Sequence, residues 1–478
     1  MTHYIRQQYL NIDLKGSESD GLALQSHLSD VFYSKVLPAF DEVMDQCAPP
    51  GKILVINRID IDAGTIELDR IDQDLPKILA RALMKSLEKE VAKANLPGTA
   101  IETSYFQSYH ENRWEIFVFF LRKGYLPWSC KLPEGENLEE VISDQMISEE
   151  TKTISPIPVL QIKAALKSVA ASKRLTLQFS EQFCITLLQK ISPELFTLFN
   201  GLDHQVSTIK DITISSGELT GIKRLILEKI FFYSAADQII SKSEFVNQML
   251  IELASKPDLQ IAGLKVLGLI PDNILNQSNP DDMNNIQIAE KKVFHGLFQE
   301  STLQAKEDSK QEDAEGIFID NAGLVVLHPF LSWFFESLGI SKDDKILKPD
   351  KALGLLHFLA TGETESPEYE LVLPKILCGI PLSTPVLKNN VITEIEITET
   401  RTLLEAVIKH WEALRNTTPD GLRGNFLVRP GKLSLQDDGD WLLQVESRPY
   451  DILLDQLPWG ISIIKLPWTK TMLRVEWR

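Results

Sequence analysis

Asn321-Ala-Gly-Leu-Val-Val-Leu-His-Pro-Phe-Leu-Ser-Trp-Phe-Phe335 opens a globular region, and the rest of the chain is ordered around it. The run is densely apolar, but His328 and Pro329 interrupt it. That predicts a buried helix near 322–338, since a membrane span needs about 20 apolar residues in a row. Downstream, helical spacing recurs near 350–361 and 400–415. After Gly424 short strands take over, expected at 427–428, 441–445, 452–454, 461–464 and 473–477. Leu457-Pro-Trp-Gly-Ile-Ser-Ile-Ile-Lys465 is echoed at once by Leu466-Pro-Trp-Thr-Lys-Thr-Met-Leu-Arg474. Two copies are too few for a solenoid, so the echo predicts two similar turn-plus-strand units. Residues 317–478 are assigned to one mixed domain of helices and short strands.

Upstream of this run, 271–316 turns rich in Asn, Asp, Gln, Ser and Lys, and is expected to be a polar linker. Its last fifteen residues lack the apolar side chains that would offset the entropy of ordering them, and are expected to be disordered. Residues 131–270 are expected to be mostly helical, with an acidic, proline-punctuated linker at 134–157, two helical stretches at 160–200 and more at 220–270. The first 130 residues predict an α+β unit in the order strand, helix, hairpin, helix. Leu10, Ile12 and Leu14 alternate as a strand would, and Ser19 and Asp20 cap a helix with Leu24, Leu28, Val31, Phe32 and Val36 on one face. Pro38 should kink or end that helix. Ile53-Leu-Val-Ile56 and Ile66-Glu-Leu68 flank Asp60-Ile-Asp-Ala-Gly64, a hairpin pattern. A second helix is expected from Asp74, with Pro76 in its first turn and Ile78, Leu79, Leu83, Leu87 and Val91 buried. A short helix at 111–122 should end at Gly124. The expected fold class is α+β and multi-domain.

Over 478 residues, 49 Lys plus Arg stand against 67 Asp plus Glu, a net charge of −18. Phosphate recognition needs a basic face, so broad binding to nucleic acid or anionic membrane is not expected. The N-terminus, Met1-Thr-His-Tyr-Ile-Arg6, alternates polar and apolar residues where a secretory signal would carry an apolar run. Cys47, Cys130, Cys184 and Cys378 form no CxxC pair and fit buried thiols in a reducing cytoplasm.

The chemistry-bearing patterns are missing or weak. No phosphate loop, dinucleotide fingerprint, nucleophile elbow or HExxH is present, and no two histidines fall three to five apart. No enzyme, cofactor or metal is expected. Asp60-x-Asp62-x-Gly64 with Glu67 lacks the third oxygen ligand and the twelfth-position Glu of a calcium loop, and strand alternation explains it better. Cys378 sits among Ile376, Leu377 and Ile380 and is expected to be inert. His328 is expected to be a hydrogen-bonded core histidine. The C-terminal tryptophans Trp441, Trp459, Trp468 and Trp477 fit first the core of a small β subdomain, and can also serve as interface anchors, where Trp is enriched.

Several blocks carry a resemblance. His3-Tyr-Ile-Arg-Gln-Gln-Tyr-Leu-Asn-Ile12, Leu37-Pro-Ala-Phe40 and Ile59-Asp-Ile-Asp-Ala-Gly-Thr-Ile66 resemble the N-terminal region of tape measure proteins of contractile injection systems, phage-tail-like particles built by bacteria. Phe120-Leu-Arg-Lys-Gly-Tyr-Leu-Pro-Trp128 is similar to that family's next block, and 175–193 to a helical block after it. The C-terminal half follows with Asn321 to Leu331, His357-Phe-Leu-Ala-Thr-Gly362, Tyr369-Glu-Leu-Val-Leu-Pro-Lys-Ile-Leu-Cys-Gly379, Leu403-Leu-Glu-Ala-Val-Ile-Lys-His-Trp411 and the stretch from Tyr450 to Trp459. The resemblance implies a structural component that lies in the tail tube, sets tube length and bridges the tube's ends. The alternative is a globular assembly or loading adaptor of the same particle. The implied partners are tail-tube, baseplate or terminator proteins, with low-copy self-association in the lumen and no membrane anchoring. Assembly in the bacterial cytoplasm is implied, followed by residence in the particle. Trp128, Trp459, Trp468 and Trp477 are the expected interface residues.

Overall fold

Every fourth residue from Ile71 to Leu87 is apolar and buried (Ile71, Leu75, Leu79, Leu83, Leu87), the spacing that stacks side chains along one face of a helix. This stripe is the spine of the first of two units, Met1–Glu115 and Ile116–Arg478. A computed structural model describes residues 3–5, 8–14, 18–47, 51–95, 104–133, 135–148, 156–208, 215–236, four positions between 244 and 249, 316–388 and 391–477. The chain is α+β.

The first unit contains α1 (Glu18–Val31), α2 (Leu37–Cys47), β1 (Lys52–Ile56), α3 (Ile71–Ala94) and β2 (Ser104–Ser108), followed by α4 (Tyr109–Lys123). Between α1 and α2 lies a π-turn, Phe32–Val36, closed by the Leu37 N–H on the Phe32 carbonyl. Pro38 has no N–H for the carbonyl four residues earlier, and one wide turn absorbs the misfit, so the rod continues past the proline. Phe32, Val36, Phe40 and Val43 face the α3 stripe.

Three expectations for this unit are corrected. β1 is a strand, but its partner is β2, with Leu54 opposite Phe106, and not the segment at 66–68. Locally satisfied polar groups hold 57–67 as a loop: Arg58 forks onto Asp60, and Asp62 Oδ1 accepts from the Gly64 N–H at 2.8 Å, with Gly64 at φ +65°. Leu10, Ile12 and Leu14 lie in a segment without regular structure. The α3 helix begins at Ile71, three residues before Asp74, which places Pro76 beyond the first turn.

In the second unit, α5 (Leu138–Ser148), α6 (Pro156–Leu166), α7 (Val169–Gln178), α8 (Glu181–Ile191), α9 (Pro193–Thr208) and α10 (Ser216–Ala235) come first. The linker expected at 134–157 is corrected: α5 lies in it. Asn137 and Glu140 cap that helix reciprocally, and Leu138, Val141, Ile142 and Met146 are buried. Acidic composition masks a period of three and four. Where two helical stretches were expected at 160–200 there are four helices, α6 to α9. Ser180 caps α8 on the Phe183 N–H, and Pro193 opens α9. The expectations for 237–315, including the disordered stretch, fall almost wholly outside the described residues.

The chain re-enters at β3 (Ile317–Ile319), then a 3-10 turn (Ala322–Leu327), α11 (His328–Ser337), the small ladder β4 (Ser341–Lys342) and β5 (Lys345–Ile346), α12 (Pro349–Thr361), α13 (Val372–Cys378) and α14 (Glu394–His410). The strands β6 (Gly431–Leu435), β7 (Trp441–Val445), β8 (Ile463–Ile464) and β9 (Leu473–Glu476) join β3 in one sheet, ordered β3-β6-β7-β9-β8. All its pairings are antiparallel except β7 with β9. Ile317, Leu433, Leu443 and Val475 align across four strands as a buried row.

Two expected strands are absent. Residues 427–428 end a π-turn (Arg423–Leu427), and 452–454 lie in a 3-10 helix (Pro449–Gln456), because Pro449 opens it and Asp451 accepts from the Arg448 N–H. The two halves of the nine-residue echo end in β8 and β9, which pair with each other.

Gly323 explains why the opening run fits. A Cβ there would sit 1.6 Å from the Phe426 carbonyl oxygen, so the 3-10 turn packs backbone to backbone on the π-turn. Gly323→Ala should destabilise the protein by at least the about 3 kcal/mol at the top of the usual overpacking range, because backbone cannot swing aside. Gly424→Ala, with open space at its Cβ, is the control and should leave urea denaturation nearly unchanged.

Candidate functional site

Three charged side chains lie inside the second unit: Arg174 and Glu368 are 0% exposed and Lys375 1%. Arg174 projects from α7, Glu368 from a short 3-10 turn (Glu368–Glu370) and Lys375 from α13. The Arg174 guanidinium donates through Nε to Glu368 Oε2 at 2.9 Å, through Nη2 to the Ser383 carbonyl at 2.8 Å and through Nη1 to the Leu121 carbonyl at the end of α4. Lys375 Nζ donates to Glu368 Oε1 at 2.6 Å and to the Leu382 and Thr384 carbonyls at 2.9 and 2.8 Å. Gln178 completes the seam, donating to the Val386 carbonyl and accepting from the Glu368 N–H, both at 2.8 Å. Gly124 ends α4 at φ +83°, and a Cβ there would fall 2.5 Å from Glu368 Oε1 and 2.8 Å from Arg174 Nη2. Burial pushes the Glu368 carboxyl up and the Lys375 ammonium down, each opposed by the charge of its partner. Phe120 adds an edge-on contact to Tyr369, 5.8 Å between ring centres.

A second buried pair organises the C-terminal segment. Arg429 forks onto Asp451 at 2.9 and 2.8 Å and reaches the Glu446 carbonyl at 2.6 Å. Burial would raise Asp451, but Arg429, the Arg448 N–H and the Trp477 indole outweigh it and hold this carboxyl below its usual range. The Arg429 guanidinium lies over the rings of Tyr450 and Trp477, 5.4 and 5.3 Å from their centres.

The tryptophans fall around these elements. Trp477 is buried, its indole N–H on Asp451 at 3.1 Å. Trp459 and Trp468 are half-buried and donate to the Val326 and Leu377 carbonyls at 3.0 and 2.8 Å. The Leu377 carbonyl lies in the last turn of α13, where intrahelical donors run out, and the Val326 carbonyl lies in the 3-10 turn that leads into α11. Each copy of the echo thus supplies one indole to one backbone carbonyl. Trp411 is fully buried and donates to the Leu453 carbonyl, and Trp128 is half-buried in the loop after α4. Trp333, on α11, is 58% exposed, which sequence reasoning did not single out.

His328 Nδ1 meets the Val325 carbonyl at 2.9 Å, and burial lowers its pKa. Cys378 is buried, which pushes its thiol well above the normal range. Among the described residues no group of three or more His, Cys, Asp or Glu is placed to hold a metal ion. Nor is any described helix long and apolar enough to cross a membrane. Sequence reasoning also missed the charged residues at the two centres. The available signal was Lys375 inside Val372-Leu-Pro-Lys-Ile-Leu-Cys378 and Arg429 after Phe426-Leu-Val428, lone charges in apolar runs.

The family described as contractile injection system tape measure protein matches residues 2–477, almost the whole length. The chain belongs to that family. No curated protein and no solved structure matches it. Membership makes it a structural component of a contractile injection particle, with partners inside that particle, in a family whose role is structural and not catalytic. In this tape measure protein the buried seam joins blocks quoted above for the resemblance: Leu121 and Gly124 lie in one, Lys375 in another, and Arg174 and Glu368 each directly precede one.

Removing one member of a buried charge cluster strands the others, at about 3–5 kcal/mol, whereas an apolar replacement of the whole set is often neutral or better. Glu368→Leu should therefore destabilise strongly. Arg174→Met, Glu368→Leu and Lys375→Met together should recover most of the loss in urea denaturation. A triple variant no more stable than Glu368→Leu would show that the backbone carbonyls, not the charges, set the cost.

Proposed function

We propose that this chain sets the length of its particle's tail tube and bridges the tube's ends, after assembling in the bacterial cytoplasm. The observation that supports this is the family match over residues 2–477, which takes in both units together with the segment between Ala235 and Gly316. The partners we propose are tail-tube, baseplate or terminator proteins, with low-copy self-association in the lumen.

A second reading is favoured by one geometric fact. Arg174 and Glu368 lie on opposite sides of that segment in sequence and share a buried ion pair at 2.9 Å. While the pair is closed, both flanks of the segment are tied together, and added length between them loops out. A ruler needs this seam to open inside the tube, while a globular loading adaptor keeps it closed.

Half-buried Trp128, Trp459 and Trp468 are proposed as anchors to particle partners, while buried Trp477 acts through the residues it holds in place. Trp459→Ala or Trp468→Ala should weaken incorporation by about 2 kcal/mol, typical of an anchor residue, with cooperative melting retained. Lost melting in the same variants would assign these rings to the core instead.

A helical insert of 30 residues between Asn276 and Pro280 separates ruler from adaptor. The ruler predicts particles longer by about 45 Å in electron micrographs, at roughly 1.5 Å per helical residue. Particles of unchanged length, with normal expression and incorporation, would sink the ruler and leave the adaptor.

A further inference from the structure

Two stretches of the first unit have strand character and an unpaired edge. Gln8, Leu10, Ile12 and Leu14 line a space of about 930 Å³ beside α1 and α2, and Tyr9, Asn11 and Asp13 do not, so residues 8–14 run extended with alternate side chains on opposite sides. Leu10 and Ile12 remain 44% and 48% exposed, and Tyr9 78%. The segment is held at both ends: His3 bonds to Asp45 on α2 at 3.0 Å, and a Cβ at Gly21 on α1 would meet Leu14 at 3.9 Å. Among the described residues no backbone hydrogen bond joins 8–14 to a strand.

The other stretch is β1. It belongs to a two-stranded ribbon, so one edge is paired, from Lys52 with Ser108 to Ile56 with Ser104, and the other is not. β2 is tied to α3, where Ser104 Oγ donates to Glu90 Oε2 at 2.8 Å. Among the described residues no backbone bond reaches the outer edge of β1. Open edges are normally guarded by a proline, a bulge or charges, and Lys52-Ile-Leu-Val-Ile56 has one lysine, no proline and an unbroken register. Such an edge recruits another strand.

We propose that these edges pair between two copies of the chain, residues 8–14 of each adding antiparallel to β1 of the other, so that the exchange closes a symmetric dimer. The register follows from the residues. Asp13 set opposite Lys52 brings Ile12 to Ile53, Asn11 to Leu54 and Leu10 to Val55, so opposite charges meet at one end and the two apolar pairs share the face toward α1 and α2. A parallel pairing with the same charges would set Ile12 opposite Gly51 and Leu10 opposite Pro49, outside the strand. Asp13 and Lys52 are both exposed, the Lys52 ammonium 5.8 Å over the Phe106 ring. The partner is a second copy because each chain holds its own segment along α1 and α2. Seven residues given and five received are about half of the roughly 20–30 a side in a standard interface, so the dimer is weak. The proposal rests on the self-association proposed above and not on the ruler.

The test follows the full chain by sedimentation velocity up to about 100 μM, a range that registers an interface of this size. A reversible monomer–dimer equilibrium is expected. Asp13→Lys and Lys52→Asp should each weaken it about tenfold, because a symmetric dimer contains the pair twice, and the two changes together should restore it with the melting curve kept. Asn11→Cys with Leu54→Cys, opposite each other in the register, should give a covalent dimer on non-reducing gels that neither single change gives. A disulfide within one chain would instead put the segment on its own β1 and overturn the proposal. A dimer that neither the charge exchange nor the cysteine pair affects would keep self-association and overturn the strand exchange. Absence of any dimer, with no covalent trapping, would overturn both.

Discussion

One guanidinium group holds the second unit together. Arg174 donates to Leu121 behind it in sequence and to Glu368 and Ser383 far ahead of it, so three separated segments meet on one planar fork. Five donors in fixed directions suit that task, and lysine, a point charge on a flexible stem, does not replace them. Much around it follows from the need to leave no buried polar atom unmet. Gly124 has no side chain because one would occupy the space of the pair, and Gln178 and Lys375 take up carbonyls between Leu382 and Val386 that no helix satisfies.

Burying charge is an inefficient way to stabilise a fold. The desolvation of Arg174, Glu368 and Lys375 offsets much of their attraction, so the cluster contributes less to stability than its short distances suggest. What a charge cluster supplies is register: an apolar surface tolerates sliding, while a fork aimed at named oxygens fits in one position. The Arg429–Asp451 pair does the same for the C-terminal segment, with Trp477 closing over it.

The α+β class was legible because α3 carries a regular apolar stripe, α12 is a long apolar run after its opening proline, and the C-terminal strands are short apolar runs. Pairing was not. Ile53-Leu-Val-Ile56 reads as a strand from its own residues, but that it meets Ser104–Ser108 depends on a chain reversal through α3. The acidic run that hides α5 shows the opposite failure, composition outweighing spacing. At the candidate centres the tryptophans were visible, being rare and clustered. The charges that position them were not, since a buried Arg and a solvated Arg share one letter. Lys375, alone in an apolar helix, was the nearest thing to a flag.

The sequence distance spanned by the Arg174–Glu368 pair has a consequence during synthesis. At about 5–20 residues per second, some 10–40 s pass between translation of the two. Through that interval Arg174 stays in water, because the carboxylate that would justify its burial does not yet exist. Contacts of such long range also fold slowly once available, since loop closure must precede any gain. The newly made chain therefore passes through a stage in which the residues of α5 to α10 have been made and their charged seam is still open. In that stage the cell holds a chain with a naked guanidinium, short of the closed unit described above.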